Sequence, residues 1–156
     1  MPQQTLNWKR FDVCIKMMYM AGITIPQIIK DVGFDFDWDT TKVWALKEPT
    51  VEMPMNELAW HFDIPFWSSE GTAVYNLSPK EVMEHPDRES THWRLIQAAD
   101  TTYPIDIMEN KGRWLILDGL HRLAKEYVAG KTTVSVRKIP RSRISEIEAQ
   151  SSPNSL

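Results

Sequence analysis

Cysteine is nearly absent from the chain. Cys14 stands alone among 156 residues, which excludes an intrachain disulfide and a cysteine-based zinc site. It lies in an apolar helical stretch, which suits an inert buried thiol. An excess of positive charge is also missing. Lys and Arg number 18 against 21 Asp and Glu, for a formal net charge of -3. There is thus no global basic signal for nucleic acid, and any DNA contact needs a local patch. No apolar run approaches a membrane span, and the first residues carry no signal-peptide pattern. No membrane partner is therefore expected, and a reducing cytoplasm is the expected compartment. Neither an internal repeat nor a low-complexity block is found. His61, His85, His92 and His121 are scattered, without the i, i+4 pair of a zinc helix, and no catalytic triad suggests itself.

What remains is ordinary for a globular chain: 42% hydrophobic and 25% charged residues, with length for one domain, a proper core and a small appendage. The informative stretch runs from Trp114 to Lys125. Trp114-Leu115-Ile116-Leu117 is a short apolar run with the length of a buried strand. It stops at Asp118-Gly119. Helical spacing then takes over at Leu120, Leu123, Ala124, Tyr127 and Val128, with Gly130 where a C-cap belongs. Asp118 is placed to cap the helix through its carboxylate. Gly119 permits a tight turn and the close approach of a ligand to the backbone. His121 and Arg122 fall in the first helical turn, beside free N–H groups and the positive end of the helix dipole, a setting suited to phosphate. Arg122 adds a planar fork matched to phosphate oxygens. The same residues equally suit a solvent-facing helix start, and a strand–turn–helix with one Gly is weakly specific.

The rest of the chain supplies a frame. Trp8 to Met20 reads as an amphipathic helix ended by Ala21-Gly22. A second short helix opens at Thr24 or Ile25, with Ile28, Ile29 and Val32 inward and Gly33 closing it. Asp39 or Thr40 caps a third, Thr41 to Lys47. This layout resembles a helix-turn-helix. Asp35, Asp37 and Asp39 at the start of its presumed recognition helix would repel DNA phosphates, which favours a helical pack covering the next domain. Leu58, Trp60 and Phe62 alternate as in a strand. Trp60 and Trp67 suit a core, or a stacking platform for a base if exposed. Glu52 and Glu57 read as surface residues. Val74 to Leu77 reads as a short strand. Ser78-Pro79-Lys80-Glu81 is a capping-box helix start, and Glu89 to Ala99 is a further helix with Trp93, Ile96 and Gln97 inward. Tyr103 to Met108 and Arg113 to Leu117 form a hairpin, with Asp106 facing away from the side of Ile105 and Ile107. Thr132 to Lys138 is a strand with period-two alternation. Lys138, Arg141 and Arg143 make a small basic cluster, and Ser145 to Leu156 reads as a frayed end.

Asp118-Gly119-Leu120-His121-Arg122, between an apolar strand and an Ala-containing helix, resembles the signature loop of the ParB/sulfiredoxin superfamily. Sulfiredoxins read Gly-Gly-Cys-His-Arg there, and ParB-type free-serine kinases read Asp-Gly-His-His-Arg. Partition ParB proteins carry a looser Gly-x-x-Arg, which Gly119 and Arg122 fit. The resemblance covers Leu77 to Pro140, including the preceding hairpin and the following strand. It implies a site for a nucleoside triphosphate or diphosphate with Mg2+. Gly119, Leu120, His121 and Arg122 would hold the phosphates, with His121 and Asp118 as the catalytic candidates and Asp118 as the metal residue. In that region His92 and Arg94 could approach phosphate or base. The sulfiredoxin Cys position is Leu120, so sulfinic-acid repair, which needs a thiolate, is excluded. The kinase-type His is also missing there. Partition proteins add a DNA-binding domain and a dimerisation tail, whereas about sixteen residues follow Pro140 here.

The expectation is therefore an α+β chain with a ParB/sulfiredoxin-like small mixed sheet flanked by helices. Residues 1–49 would be a helical N-terminal segment, 50–144 the main domain and 145–156 a flexible tail. The leading function is nucleotide binding, with hydrolase or phosphotransfer activity open. The alternative is a DNA-associated regulatory or partition-like protein without catalysis. Nucleotide, DNA and a second copy of the chain, forming a homodimer, are the candidate partners.

Overall fold

The computed structural model describes residues 25–149 apart from 73 and 89. The expected helix Trp8 to Met20, Cys14 and the residues from 150 onward lie outside them. Among the described residues the chain is a mixed α+β fold. Its four-stranded sheet has the order β1-β4-β2-β3, where β1 is Thr50–Pro54, β2 Ile105–Asn110, β3 Arg113–Asp118 and β4 Thr133–Lys138. β2 and β3 form an antiparallel hairpin, β4 runs parallel to β2, and β1 pairs antiparallel with β4. The hairpin turn is Lys111-Gly112, with φ of 51° and 75°. Positive φ at both central residues matches the twist of the flanking strands.

Six α-helices are described. α1 (Gln27–Asp31), α2 (Thr40–Ala45), α3 (Pro79–Glu84) and α4 (Ser90–Ala98) precede the hairpin; α5 (Leu120–Val128) and α6 (Ile144–Ile147) follow it. Helix α5 carries the chain from β3, past β2, to β4. Leu120, Leu123 and Ala124 of α5 join Ile105, Ile107, Ile116, Val134 and Val136 of the sheet, with Val82 of α3 and Ile96 of α4, in the larger core. Val43 and Leu46 join Met108, Leu117, Ile139 and Ile147 in a smaller one. Its covering elements are α2 and α6, and the Asp39 N–H donates to the Ile147 carbonyl at 2.7 Å.

Local signals mostly held. Ser78 and Glu81 form the expected capping box, each side chain bonded to the other's backbone N–H. Asp39 caps α2 by accepting from the Thr41 N–H. Several expectations fail. The Leu58–Phe62 stretch is not a strand but part of two 3-10 turns, Met55–Glu57 and Ala59–Asp63. Consecutive His61 and Phe62 are both buried there, so the alternation was accidental. Val74 to Leu77 contributes only an isolated bridge, Leu77 to Trp67. Ile28 and Gln97 face outward, not inward. The start of the expected tail is helix α6, with Ile147 fully buried. Before β1, Ile29 and Phe34 enter the larger core, and Val43 and Leu46 the smaller. Helices α1 and α2 have only five and six residues, and α2 spends its apolar side on the sheet. The described part of the segment is thus a helical pack against the sheet.

Candidate functional site

All five residues of the expected loop meet where β3 ends. Asp118 is the last residue of β3, not a helix cap; Gly119 takes the N-cap position with φ of +119°, and no side chain caps α5. A Cβ at Gly119 would lie 2.7 Å from Arg122 Nη2. The glycine thus serves two ends. It adopts a left-handed turn that L side chains rarely enter, and it clears the space into which Arg122 folds back.

Arg122 does not present an open fork. Its guanidinium turns onto Asp118 and donates from Nη2 to Oδ2 at 2.9 Å, with both side chains buried. The same Oδ2 accepts the Trp44 indole N–H at 2.8 Å. Oδ1 of Asp118 is buried without a hydrogen-bond partner among the described residues. Burial pushes the Asp118 carboxyl above its usual range, against the pull of Arg122 and Trp44, and the nearby Asp106 pushes the same way as burial. Asp106 and Asp118 are register partners across β2 and β3. Asp106 has its own buried cation: Arg137 Nε donates to Oδ1 at 2.6 Å, while Nη1 and Nη2 hold the Leu46 and Val43 carbonyls at the end of α2. Two acid–arginine pairs therefore lock the loop end of the sheet beneath α2. The sequence reading placed Asp106 on the correct face, but Trp44 and Arg137 went unnoticed. Arg137 had a signal: period-two alternation sets it opposite Val134 and Val136 in β4, so it could not share their core.

His121 is bound into a flat aromatic cluster. His92 Nδ1 and His121 Nε2 are 3.2 Å apart, and both rings stack on Trp67 with centroids at 4.7 and 4.3 Å. His92 Nε2 lies 2.9 Å from the Ser68 carbonyl. A carbonyl only accepts, so Nε2 of His92 carries a proton. When both rings are neutral, His92 Nδ1 is then an acceptor, and His121 donates from Nε2 and holds its lone pair on Nδ1. Trp67 is thus a buried stacking floor for two imidazoles, not an exposed base platform. Arg94 stays exposed and Leu120 is core. His61 is a satisfied core histidine. It faces the Leu58 carbonyl through Nδ1 and accepts the Ile116 N–H at Nε2, and burial lowers its pKa to about 3.

The implied magnesium ion fits this arrangement poorly. Asp118 already accepts two donors on one oxygen and faces a guanidinium, and no group of three or more metal-ligating side chains occurs among the described residues. No family model, no curated protein and no solved structure matches the chain. No helix among the described residues is long and apolar enough to cross a membrane.

Proposed function

We propose that the turn from β3 to α5 recognises the phosphates of a nucleotide, in a domain of the ParB/sulfiredoxin type. The observation that carries this reading is the start of α5. A left-handed Gly119 leads into a nine-residue helix whose first amides have no side-chain cap, with His121 in that first turn. Such amides are donors aligned with the positive end of the helix dipole. The order hairpin, loop, helix and returning strand β4 also agrees with the resemblance.

The division of labour differs from the one the motif implies. Arg122 has its charge matched by Asp118, so it shapes the turn rather than gripping phosphate directly. The grip falls to the backbone amides of Leu120 and His121, while His92 and Trp67 hold the His121 ring in place. Binding is the function proposed.

Amide mapping by magnetic resonance tests the reading on the wild-type chain. ATP, CTP, GTP and ADP are titrated with magnesium. The expected result is a saturable shift of the Leu120, His121 and Arg122 amides by at least one nucleotide. If none of the four moves those amides, the reading is wrong. His121→Gln removes the ring that His92 and Trp67 hold at the start of α5 and should weaken a positive response roughly tenfold.

A further inference from the structure

A cleft of about 490 Å³ opens at the far end of the hairpin, between the Lys111-Gly112 turn and the segment that follows β4. Its volume falls within the roughly 300–1,000 Å³ usual for small-molecule sites. Three cations line it, and they are not equivalent. Lys111 Nζ is 3.0 Å from Asp35 Oδ2, and that ammonium group holds the Asp35 carboxyl below its ordinary value. The Lys111 charge is therefore already matched.

Lys138 and Arg141 are different. Lys138 Nζ lies over the Trp114 ring, 4.9 Å from its centroid. Arg141 donates to the side-chain oxygen of Asn110, a neutral group. Neither has an acidic partner among the described residues. Asn110 itself is fixed, because its amide N–H groups go to the Gly33 carbonyl and to Asp35. A buried amide thus orients an exposed guanidinium at the edge of the cleft. Glu109 is the one carboxylate in the lining.

We propose that this cleft is a binding site for a small organic phosphate monoester. Lys138 and Arg141 match the two negative charges of its phosphate, where a lone carboxylate would leave one cation unanswered. The half-buried Trp114 gives the organic part an apolar floor. Glu109 at the lining limits the site to a compact anion and disfavours a long polyphosphate. The site is separate from the α5 loop. Six residues of β3 lie between the two, a span of roughly 17 Å at about 3.4 Å per residue.

The experiment is a titration of the full chain with phenyl phosphate, inorganic phosphate and a short DNA duplex, followed by amide and indole magnetic resonance. Phenyl phosphate should shift the Gly112 amide and the Trp114 indole N–H, with no shift at Leu120 or His121. Inorganic phosphate should bind the same residues at least roughly tenfold more weakly. Lys138→Gln and Arg141→Gln each remove one exposed charge and should each weaken binding about tenfold, Lys138→Gln with little change in the thermal melt. The proposal is overturned if neither phosphate shifts Gly112 and Trp114, or if both variants bind as the wild type does. It is overturned equally if only DNA perturbs this end, with the steep salt dependence of a phosphate-backbone contact. Shifts at α5 report on the loop alone, so either site can fail without the other.

Discussion

The two ends of β3 are built on opposite principles. At Asp118 the charges are buried, paired and enclosed: Arg122 and Trp44 converge on one carboxylate oxygen, with Asp106 and Arg137 alongside. At Arg113 the strand enters from an exposed two-residue turn, beside a cleft whose Lys138 and Arg141 have no acidic partner among the described residues. Charge at the first end is part of what holds the fold. Charge at the second contributes little to the fold and stays available to a ligand. A motif read from sequence points to the first end because a glycine and an arginine stand there, yet its arginine is the less available of the two ends' cations.

The sharpest way to break this contrast is to remove one cation at each end. Arg122→Ala leaves the buried Asp118 carboxylate unpaired and is expected to cost about 3–5 kcal/mol in chemical denaturation. Arg137→Ala should cost as much, since it strands Asp106 and also releases two carbonyls of α2. Equal tolerance of Arg122→Ala and Lys138→Ala would remove the distinction between the ends.

The middle of β3 gives a pH test. His61 holds the Ile116 N–H on its unprotonated Nε2, and its pKa is lowered to about 3 by burial. The unfolded chain binds a proton near pH 6.5 and the folded chain does not, so His61 adds stability above that pH. The contribution falls as pH drops from 6.5 toward 3. Between pH 7 and pH 4 the expected loss is about 3 kcal/mol, read from denaturant midpoints. Asp118 has the opposite sign. Its raised carboxyl binds a proton more readily in the folded state, so its share of stability is present at low pH and is lost as pH rises through the folded pKa. His61→Gln should flatten the acid loss, whereas Asp118→Asn should steepen it.

How far the sequence revealed these ends depends on the range of the interactions. The Ser78 capping box, the hairpin and the β3–α5 turn depend on residues within a few positions of each other, and local chemistry decides them. Asp118 was misread as a cap because its real partners include Trp44, 74 residues away. A carboxylate before a helix looks the same in sequence whether it meets amides or a buried indole. The alternation of Leu58, Trp60 and Phe62 misled for a related reason. His61 between them is core too, held by the N–H of Ile116 in β3, which no local pattern shows. Tyr127 and Val128 continue the helical period of α5 but end exposed in its last turn. The candidate residues of the loop were found together, since they are adjacent in the chain. The cleft was visible only as a basic cluster, because its Trp114 floor and its Asn110 brace come from the hairpin.

The two glycines that flank β3 give a smaller and cleaner comparison, because both have positive φ. Gly119 at φ +119° would place a Cβ 2.7 Å from Arg122 Nη2, whereas Gly112 at φ +75° has nothing within 4 Å. Gly112→Ala should therefore cost only the backbone penalty, about 1 kcal/mol. Gly119→Ala adds displacement of the guanidinium from Asp118 and should cost roughly 2–3 kcal/mol. The excess should vanish in an Arg122→Ala background, where the crowding atom is gone. A double-mutant cycle measures that coupling directly, and additivity would mean that the turn, not the ion pair, is what needs the glycine.

Lys138→Ala is the smallest effect expected. The side chain is exposed, with its ammonium over the Trp114 ring. Removing a surface cation over an aromatic ring changes stability by about 0.5 kcal/mol. The same substitution should alter the Trp114 indole signal and weaken its response to phenyl phosphate about tenfold. A side chain that matters to a ligand but not to folding is what the open end of the strand requires. If Lys138→Ala unfolded the protein instead, the cation would belong to the scaffold, and the contrast between the two ends of β3 would be lost.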